Sequence, residues 1–161
     1  MQSDKKYLKW CTKQKKGIKL VKGSEILQKA YVKKSQEALK SMEVNAHVGI
    51  NEWAVSASYY AKYFIIYSLL SRIGIKCEIH DCTIALFTYL FENEISSQFL
   101  QDLRQAKKDR VDAQYYTFTV KINAAELISK TKEFVLKIGE IADGIDSVKI
   151  SKIRKELKTI L

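Results

Sequence analysis

The chain contains no proline and only six glycines in 161 residues. A sandwich or barrel of short strands needs many turns, and proline and glycine are the residues that most often make them. A doubly wound nucleotide-binding sheet needs a glycine-rich phosphate loop, and no such motif occurs in the sequence. Both sheet architectures are therefore disfavoured, and the composition favours a mostly helical protein with few connections.

Length and hydrophobicity indicate one folded domain. A chain of this size buries roughly 70% of its unfolded surface when it folds. Hydrophobic residues make up 47% of the sequence and aromatic residues 11%, which excludes intrinsic disorder for most of the length. We see no internal repeat and no low-complexity linker. The sequence therefore predicts a lysine-rich N-terminal arm, residues 1–23, followed by a single helical domain, residues 24–161.

Positive charge is concentrated at the two ends of the chain. The net charge is +10, with net charges of +9 in residues 1–40, −3 in residues 41–106 and +4 in residues 107–161. A basic surface attracts polyanions, of which RNA and DNA are the obvious class. The alternative is a general lysine bias, such as that of thermophilic proteins. The N-terminal arm, with Trp10 among its lysines, either lies along a phosphate backbone or is a solvated tail.

The three cysteines are Cys11, Cys77 and Cys82, and the chain opens without an apolar signal segment. We therefore predict reduced thiols in a cytoplasmic protein. The segment from Cys77 to Cys82 also contains His80, but a zinc site needs a fourth ligand. The alternative is a loop whose cysteines pack inward while His80 caps or orients the next helix. We predict no metal and no cofactor.

The stretch from Trp53 to Leu70 is the one segment apolar enough to be considered as a membrane span. It carries Lys62, three serines and four tyrosines, which a lipid-facing helix would bury at a cost. The central helix of a bundle is also apolar on most of its sides. We therefore predict the central helix of a bundle and no membrane interaction.

Apolar residues recur at spacings of three and four through most of the chain, which is typical of amphipathic helices. Short connections between them favour antiparallel neighbours, so we predict an all-α fold, an antiparallel up-and-down bundle of four or five helices with a C-terminal helix. The predicted helices are 24–45 (capped by Ser24), 52–73 (capped by Asn51 and ended by Gly74), 81–91 (capped by Asp81), 96–114, 123–142 (capped by Asn123) and one from Asp146 or Ser147 onwards, with an extended connector at 117–122.

The fourth of these helices carries a cation on its apolar face. Phe99, Leu103, Ala106, Arg110 and Ala113 are spaced by four, three, four and three residues, which is the spacing of a buried seam. A guanidinium stays charged when it is buried, so Arg110 needs partners or a groove. In one interpretation, the aliphatic part of the Arg110 side chain packs on the core while its guanidinium reaches solvent at the helix end. In the other, Arg110 belongs to a binding site or an interface.

The sequence of residues 54–61 resembles the motif A-(V/I)-S-x-A-Y-Y-A of HEPN domains (higher eukaryotes and prokaryotes nucleotide-binding), from which it departs at Ser58. Residues 79–87 are similar to the third-helix motif of that family. Residues 110–115 are similar to its R-x-x-A-D-Y signature, with Gln114 in place of the acid. Weaker similarity at residues 27–40, 69–74 and 125–135 extends the resemblance over roughly residues 24–140.

The resemblance implies a helical bundle that forms a homodimer with a groove at the interface. Many HEPN proteins are metal-independent ribonucleases, and several are toxins paired with a small nucleotidyltransferase as antitoxin. Their active motif is R-x(4–6)-H, in which the arginine holds the phosphate and the histidine moves a proton. Here the corresponding positions after Arg110 hold Tyr115, Tyr116 and Thr117, and His47 and His80 are the only histidines. The chain thus keeps the phosphate-facing arginine without the family's proton carrier.

We therefore predict an RNA- or nucleotide-binding protein, and the resemblance also implies a place in a toxin–antitoxin pair with a minimal nucleotidyltransferase. One alternative is a ribonuclease that uses Arg110 with Tyr115 or His80 as an unconventional proton donor. The other is a non-catalytic module that docks a nucleotidyltransferase or another protein. The predicted groove residues are Arg110, Tyr115, Arg104, Tyr59, Tyr60 and Ser58. In the basic arm, the residues predicted to attract RNA are Lys13, Lys15, Lys16 and Lys19.

Overall fold

The computed structural model describes residues 2–115 and 120–160, which form seven helices and one small antiparallel sheet. The all-α prediction is confirmed. The elements in chain order are α1 (Gln2–Lys13), β1 (Lys19–Leu20), α2 (Glu25–His47), α3 (Asn51–Ile73), β2 (Ile75–Lys76), α4 (His80–Phe91), α5 (Ser97–Tyr115), α6 (Ala124–Gly144) and α7 (Ser147–Lys158).

Helix α3 is the axis of the bundle. It packs against α2, α5 and α6, while α7 contacts it as well and α4 contacts both α1 and α5. Nearly all of the α3 side chains are buried, Ile66, Leu69 and Leu70 completely. A helix that is apolar on every side is stable at such a central position, which confirms the predicted role of this segment. No helix in the described part of the chain is long and apolar enough to cross a membrane.

Local capping signals set most helix ends where the sequence predicts them. The side chains of Ser24, Asn123 and Asp146 each accept a hydrogen bond from the backbone N–H three residues later, at 3.2, 3.2 and 2.7 Å. Gly74 ends α3 in the left-handed conformation, with φ 83°. A Cβ at Gly74 would lie 2.5 Å from the carbonyl oxygen of Val21, so the position requires glycine for space as well as for φ.

Two predicted caps are wrong. Asn51 is the first residue of α3 and its Nδ2 donates to the carbonyl oxygen of Val120 at 2.8 Å, while Ile50 occupies the cap position. Asp81 lies inside the first turn of α4 and its carboxylate pairs with Lys107 of α5. Both side chains bond to parts of the chain that are distant in sequence, which local spacing does not show. In the predicted connector, residues 117–119 lie outside the described residues, and residues 120–122 belong to no helix or strand.

The N-terminal residues contain a helix that the sequence analysis did not predict. Leu8 and Cys11 of α1 are buried against the rest of the protein, whereas Trp10 is 49% exposed. After α1 the chain runs into β1, where Leu20 pairs with Ile75 of β2. The N-terminal segment therefore contributes to the core through Leu8, Cys11 and Ile18.

The cysteines correct one prediction. Cys11 of α1 and Cys82 of α4 form a disulfide across 71 residues of sequence, with their Cα atoms 5.7 Å apart. The prediction of reduced thiols is therefore wrong for this pair, because the packing of α1 on α4 brings together two positions that the sequence leaves unrelated. Cys77 is a buried free thiol.

Candidate functional site

Helix α5 places Arg110 at the edge of the core, as the seam spacing predicts. Its neighbours on the seam, Leu103, Ala106 and Ala113, are buried, and Arg110 itself is half-buried. The Nη1 atom of Arg110 donates to the hydroxyl oxygen of Tyr60 on α3 and to the Oε1 of Gln114, both at 3.1 Å. These contacts hold the guanidinium in one orientation against α3.

The guanidinium lies on an aromatic surface without a counter-ion. Its Cζ is 5.4 Å from the ring centre of Tyr59 and 5.6 Å from that of Tyr60, which is within the range of cation–π attraction. Its Nε is buried without an acceptor among the described residues. Both acceptors of Nη1 are neutral, and no carboxylate in residues 2–115 and 120–160 forms an ion pair with Arg110. The positive charge is therefore oriented but not neutralised.

The other two half-buried arginines, Arg72 and Arg154, have charged or backbone partners, although the Nε of Arg72 is also buried without an acceptor among the described residues. Arg72 pairs with Glu25 at 3.2 Å and also donates to Gln28. Arg154 of α7 donates through Nη1 to the carbonyl oxygens of Val21, Ile73 and Gly74, at 2.8 to 2.9 Å. Arg110 differs from these two arginines because both of its hydrogen-bond acceptors are neutral side chains.

The structure brings His80 into the same cluster from a different helix. His80 opens α4, and its Nδ1 lies 2.6 Å from the hydroxyl oxygen of Tyr59. Its ring stacks on Tyr63, with ring centres 4.1 Å apart and an interplanar angle of 3°. Burial lowers the pKa of His80, and the positive charges of Arg110 and Lys107 lower it further. His80 is therefore neutral at neutral pH and can accept a proton.

The buried tyrosines of the cluster do not act as bases. Burial is the main cause that raises the pKa of Tyr59, and the Tyr63 hydroxyl adds to it. Burial likewise raises the pKa of Tyr63 to about 12. Both hydroxyls therefore keep their protons, and Tyr59 is completely buried. Tyr59 orients the ring of His80 through its hydroxyl rather than lining an open groove.

Two predicted groove residues, Ser58 and Arg104, lie apart from the guanidinium of Arg110. Ser58 faces α6, where its hydroxyl is hydrogen-bonded to that of Thr131 at 2.8 Å and is buried. Arg104 is exposed on α5 and lies beside α1 rather than beside Tyr60. Tyr115 ends α5 and is 73% exposed. The structure thus groups Arg110 with Tyr59 and Tyr60.

A second basic surface adjoins this cluster, and we call it the basic cleft. It is a depression of about 550 Å³ between α1, α4 and α5, and the basic side chains in its lining are Arg104, Lys107 and Lys108. Asp81, which pairs with Lys107, and Asp112 also line it, so basic groups outnumber acidic ones by three to two. Tyr7 stacks on the exposed ring of Trp10, with ring centres 5.6 Å apart. Lys107 lies about one turn before Arg110 on α5, and Arg110 itself does not line the cleft.

The lysines of the predicted arm are exposed around this region. Lys13, Lys15, Lys16 and Lys19 all face solvent between α1 and β1. Lys16 is within 4.0 Å of Glu78, which also pairs with Lys76 at 2.8 Å. Exposed ion pairs of this kind contribute little stability and leave the lysines available to a polyanion.

From its sequence context, His80 was expected as a zinc ligand, a residue that caps or orients the next helix, or an unconventional proton donor, and Lys107 was not singled out. The signal for Lys107 was its spacing of three residues before Arg110, which places both on one face of α5. No pattern in the sequence places His80 beside Tyr59, because the contact depends on how α4 packs on α3. The zinc alternative loses one ligand, since the sulfur of Cys82 is bonded to Cys11.

Comparison with known proteins agrees with this architecture. The model of the HEPN domain family matches residues 28–142, which span α2 to most of α6 and include Arg110, His80 and the tyrosines around them. A search of the curated proteins finds no significant match. The match covers well over half of the chain and agrees with the motifs in α3 and α5. The chain therefore belongs to the HEPN domain family.

Proposed function

We propose that the protein binds RNA, with one phosphate held by Arg110. The observation that carries this proposal is the half-buried guanidinium of Arg110, oriented by Tyr60 and Gln114 and left without a counter-ion among the described residues. Arginine suits phosphate because its planar fork of donors matches two phosphate oxygens. Family membership supports a role connected with nucleotides or RNA.

The surroundings of Arg110 support a strand of RNA rather than a single phosphate ion. The basic cleft continues from Lys107 towards Arg104 and Lys108. The rings of Tyr115 and Trp10 are exposed, and exposed aromatic rings offer faces on which unpaired bases can stack. A chain of net charge +10 adds non-specific attraction.

The test is the affinity of Arg110→Ala for a short, fluorescein-labelled single-stranded RNA, measured by fluorescence anisotropy. We expect a loss of about tenfold or more, as for other charge-assisted phosphate contacts. The matched control is Lys152→Ala, which removes the same charge from the exposed face of α7. That helix lies beside the end of α3, about 20 Å along the helix from Tyr60. Equal effects of the two variants would contradict the proposed site.

A second candidate function, RNA cleavage, rests on the position of His80. The proton of a ribose 2′-hydroxyl would pass to His80 while the 2′-oxygen bonds to phosphorus. The bond from phosphorus to the 5′-oxygen would break, and that oxygen would take a proton from solvent. The products would be a 2′,3′-cyclic phosphate and a 5′-hydroxyl. Arg110 would stabilise the charge on the phosphate during this step.

Cleavage is tested with His80→Gln, which removes the proton carrier and keeps a polar side chain. If the candidate is correct, the variant binds RNA like the parent protein and forms no cyclic phosphate. Parent protein that leaves RNA intact over long incubation would exclude cleavage and leave binding as the function. A complex with a nucleotidyltransferase, in the absence of both RNA activities, would instead support an interaction module.

We propose further that the protein forms a homodimer through the face beside Arg110. A groove of about 440 Å³ between α2 and α3 is lined by Trp53, Tyr60 and Phe64 among others, and Trp53 is 62% exposed. An exposed tryptophan beside apolar side chains is typical of an interface. Since Tyr60 belongs both to this groove and to the Arg110 cluster, a dimer would place two arginines near one another. Light scattering of the parent protein and of Trp53→Glu tests the dimer, which the glutamate should dissociate.

A further inference from the structure

A second cation, Lys62, is buried in the middle of α3. Its side chain is only 4% exposed, which is rare for lysine. Its Nζ lies 5.9 Å from the ring centre of Phe134 on α6. No hydrogen bond or ion pair of Lys62 occurs among the residues that the structure describes. The Nζ atom is not among the fully buried side-chain atoms that lack a partner, so the charged end of Lys62 reaches open space while the rest of the side chain is buried.

Lys62 lines a pocket of about 390 Å³ between α3, α5 and α6. The apolar part of the wall includes Val55, Ala106 and Leu127. Three carboxylates of α5, those of Asp102, Asp109 and Asp112, also line the pocket. This combination of an apolar wall with a few converging charged groups is typical of a small-molecule site.

The acidic residues of the pocket have other contacts and leave Lys62 unpaired. Asp102 accepts a hydrogen bond from Gln98 at 2.9 Å, and Asp109 accepts one from Gln105 at 2.6 Å. Glu126, also in the lining, pairs with Lys130 at 2.7 Å. Burial lowers the pKa of Lys62, and the charges of Asp102 and Asp109 offset this only in part. No carboxylate in the described part of the chain is therefore in direct contact with the ammonium of Lys62. The pocket beside it has room for a small anion.

The pocket does not include the Arg110 cluster, and Asp112 is the one residue that it shares with the lining of the basic cleft. Arg110, Tyr60 and His80 do not line it, although it shares α3 and α5 with them. Its charge also differs from that of the basic cleft, since four carboxylates and three lysine amines line it. A polyphosphate or an RNA strand would be repelled by these carboxylates. The ligand that complements the pocket therefore carries a single negative charge for Lys62 and a positive charge for the carboxylates.

We propose that this pocket binds a small zwitterion with an apolar body, its carboxylate against Nζ of Lys62 and its amino group against Asp102 and Asp109. Free amino acids with apolar side chains belong to this class. The carboxylate would replace the missing partner of Lys62 by a charge-assisted hydrogen bond. The apolar body would cover Val55, Ala106 and Leu127.

The test is binding of L-phenylalanine and L-leucine to the full-length protein, measured by isothermal titration calorimetry. Each is compared with the analogue that lacks the amino group and with the analogue that lacks the carboxylate. We expect at least one amino acid to bind. Each of its two analogues should bind with at least about tenfold lower affinity, because each loses one charged contact. The proposal would be overturned if the analogue without the amino group bound with the same affinity as the amino acid. It would also be overturned if neither amino acid bound.

Variants of the pocket assign the binding to these residues. Lys62→Met keeps the length and apolar stem of the side chain, so the fold should tolerate it, and Asp102→Asn keeps the hydrogen-bonding shape. Both should weaken amino acid binding about tenfold. Neither should change RNA affinity, whereas Arg110→Ala should weaken RNA binding and leave the amino acid unaffected. Unchanged amino acid binding in Lys62→Met would contradict the site, whatever the outcome for RNA.

Discussion

Two cations beside the core, Arg110 and Lys62, differ in how the protein accommodates them. Arg110 keeps its charge on an aromatic surface and has two neutral hydrogen-bond acceptors. Lys62 is more deeply buried and has a lowered pKa, so part of the cost of its burial is met by easier loss of its proton. Arginine cannot respond in this way, because its guanidinium does not deprotonate in proteins. The two residues therefore suit different ligands.

Replacing Lys62 should stabilise the protein. Lys62→Met removes an ammonium whose pKa is lowered mainly by burial, and we expect the free energy of unfolding at pH 7 to rise by up to about 1 kcal/mol. In the parent protein the lysine binds its proton less readily when folded than when unfolded, where its pKa is near 10.5. The free energy of unfolding should therefore increase with pH between the lowered pKa and 10.5.

Urea unfolding of both proteins at several pH values measures this effect. The difference in free energy of unfolding between Lys62→Met and the parent protein should be largest below the lowered pKa of Lys62. It should become smaller as the pH approaches 10.5. The difference between the two proteins isolates Lys62, because the tyrosines that titrate near this range are common to both. A variant that is less stable than the parent at pH 7 would show that the ammonium has a stabilising partner.

The pKa of His80 should respond to Arg110. Burial and the nearby positive charges lower the pKa of His80 below 6.5, so Arg110→Gln should raise it. Because the folded protein takes up this proton less readily than the unfolded chain, the free energy of unfolding should fall as the pH decreases below 6.5. Titration of the histidine ring resonances by NMR gives the value directly, and His47→Gln identifies which signal belongs to His80. An unchanged His80 pKa in Arg110→Gln would place the two groups too far apart to act together.

At the scale of elements, the C-terminal end of α3 depends on Arg154 from α7. Its Nη1 donates to the carbonyl oxygens of Val21, Ile73 and Gly74, and so joins α7, the end of α3 and the strand region near β1. Carbonyl groups at a helix end lack partners within the helix, and a cation there also interacts favourably with the helix dipole. One side chain thereby fixes three segments.

Arg154→Met should lower the free energy of unfolding by about 1.5 to 3 kcal/mol, the range for hydrogen bonds to charged groups. Urea unfolding followed by circular dichroism measures the change. Arg104→Met is the matched control, since Arg104 is exposed and should change stability by about 0.5 kcal/mol or less. If both variants lose the same stability, the contacts of Arg154 with the carbonyl groups are not what stabilises this end of α3.

The attachment of α1 depends on the disulfide between Cys11 and Cys82. It closes a loop of 71 residues, and cross-links over loops of this length stabilise proteins by about 2 to 4 kcal/mol. We expect a reductant to lower the Tm of the parent protein. The double variant Cys11→Ser and Cys82→Ser should have a low Tm that the reductant does not change further. A parent protein whose Tm is insensitive to reductant would indicate that the packing of Leu8 and Ile18 alone holds α1 in place.

At the scale of the whole molecule, the distribution of charge should control RNA binding. The basic cleft lies between α1, α4 and α5, whereas the zwitterion pocket lies between α3, α5 and α6, where four carboxylates outnumber three lysines. One small bundle thus presents two surfaces of different charge. An RNA strand should follow the first and avoid the second.

The affinity for RNA should fall steeply as salt is raised from about 50 to 200 mM, because each phosphate contact releases counter-ions. Replacing Lys13, Lys15 and Lys16 together with glutamine should make the dependence of RNA affinity on salt concentration shallower. The contribution of Arg110 to RNA affinity should remain. Fluorescence anisotropy at several salt concentrations gives the slope for each protein. A slope that is unchanged in the triple variant would mean that these lysines do not contact the RNA.

The sequence by itself determined the helical bundle, most helix ends, the central place of α3 and the position of Arg110 on the α5 seam. These features follow from local causes: apolar spacing, side chains that cap their own helix, and a glycine that adopts a left-handed conformation. The family resemblance carried by α3 and α5 has the same origin, since its motifs are short and continuous.

Only the tertiary structure decided which distant groups meet. It joined Cys11 to Cys82, placed His80 beside Tyr59, turned Ser58 towards Thr131 and left Lys62 unpaired in a pocket. Each of these outcomes depends on the rotation of one helix against another. Spacing along the chain states which residues share a face of a helix, but it does not state which face of a neighbouring helix lies opposite.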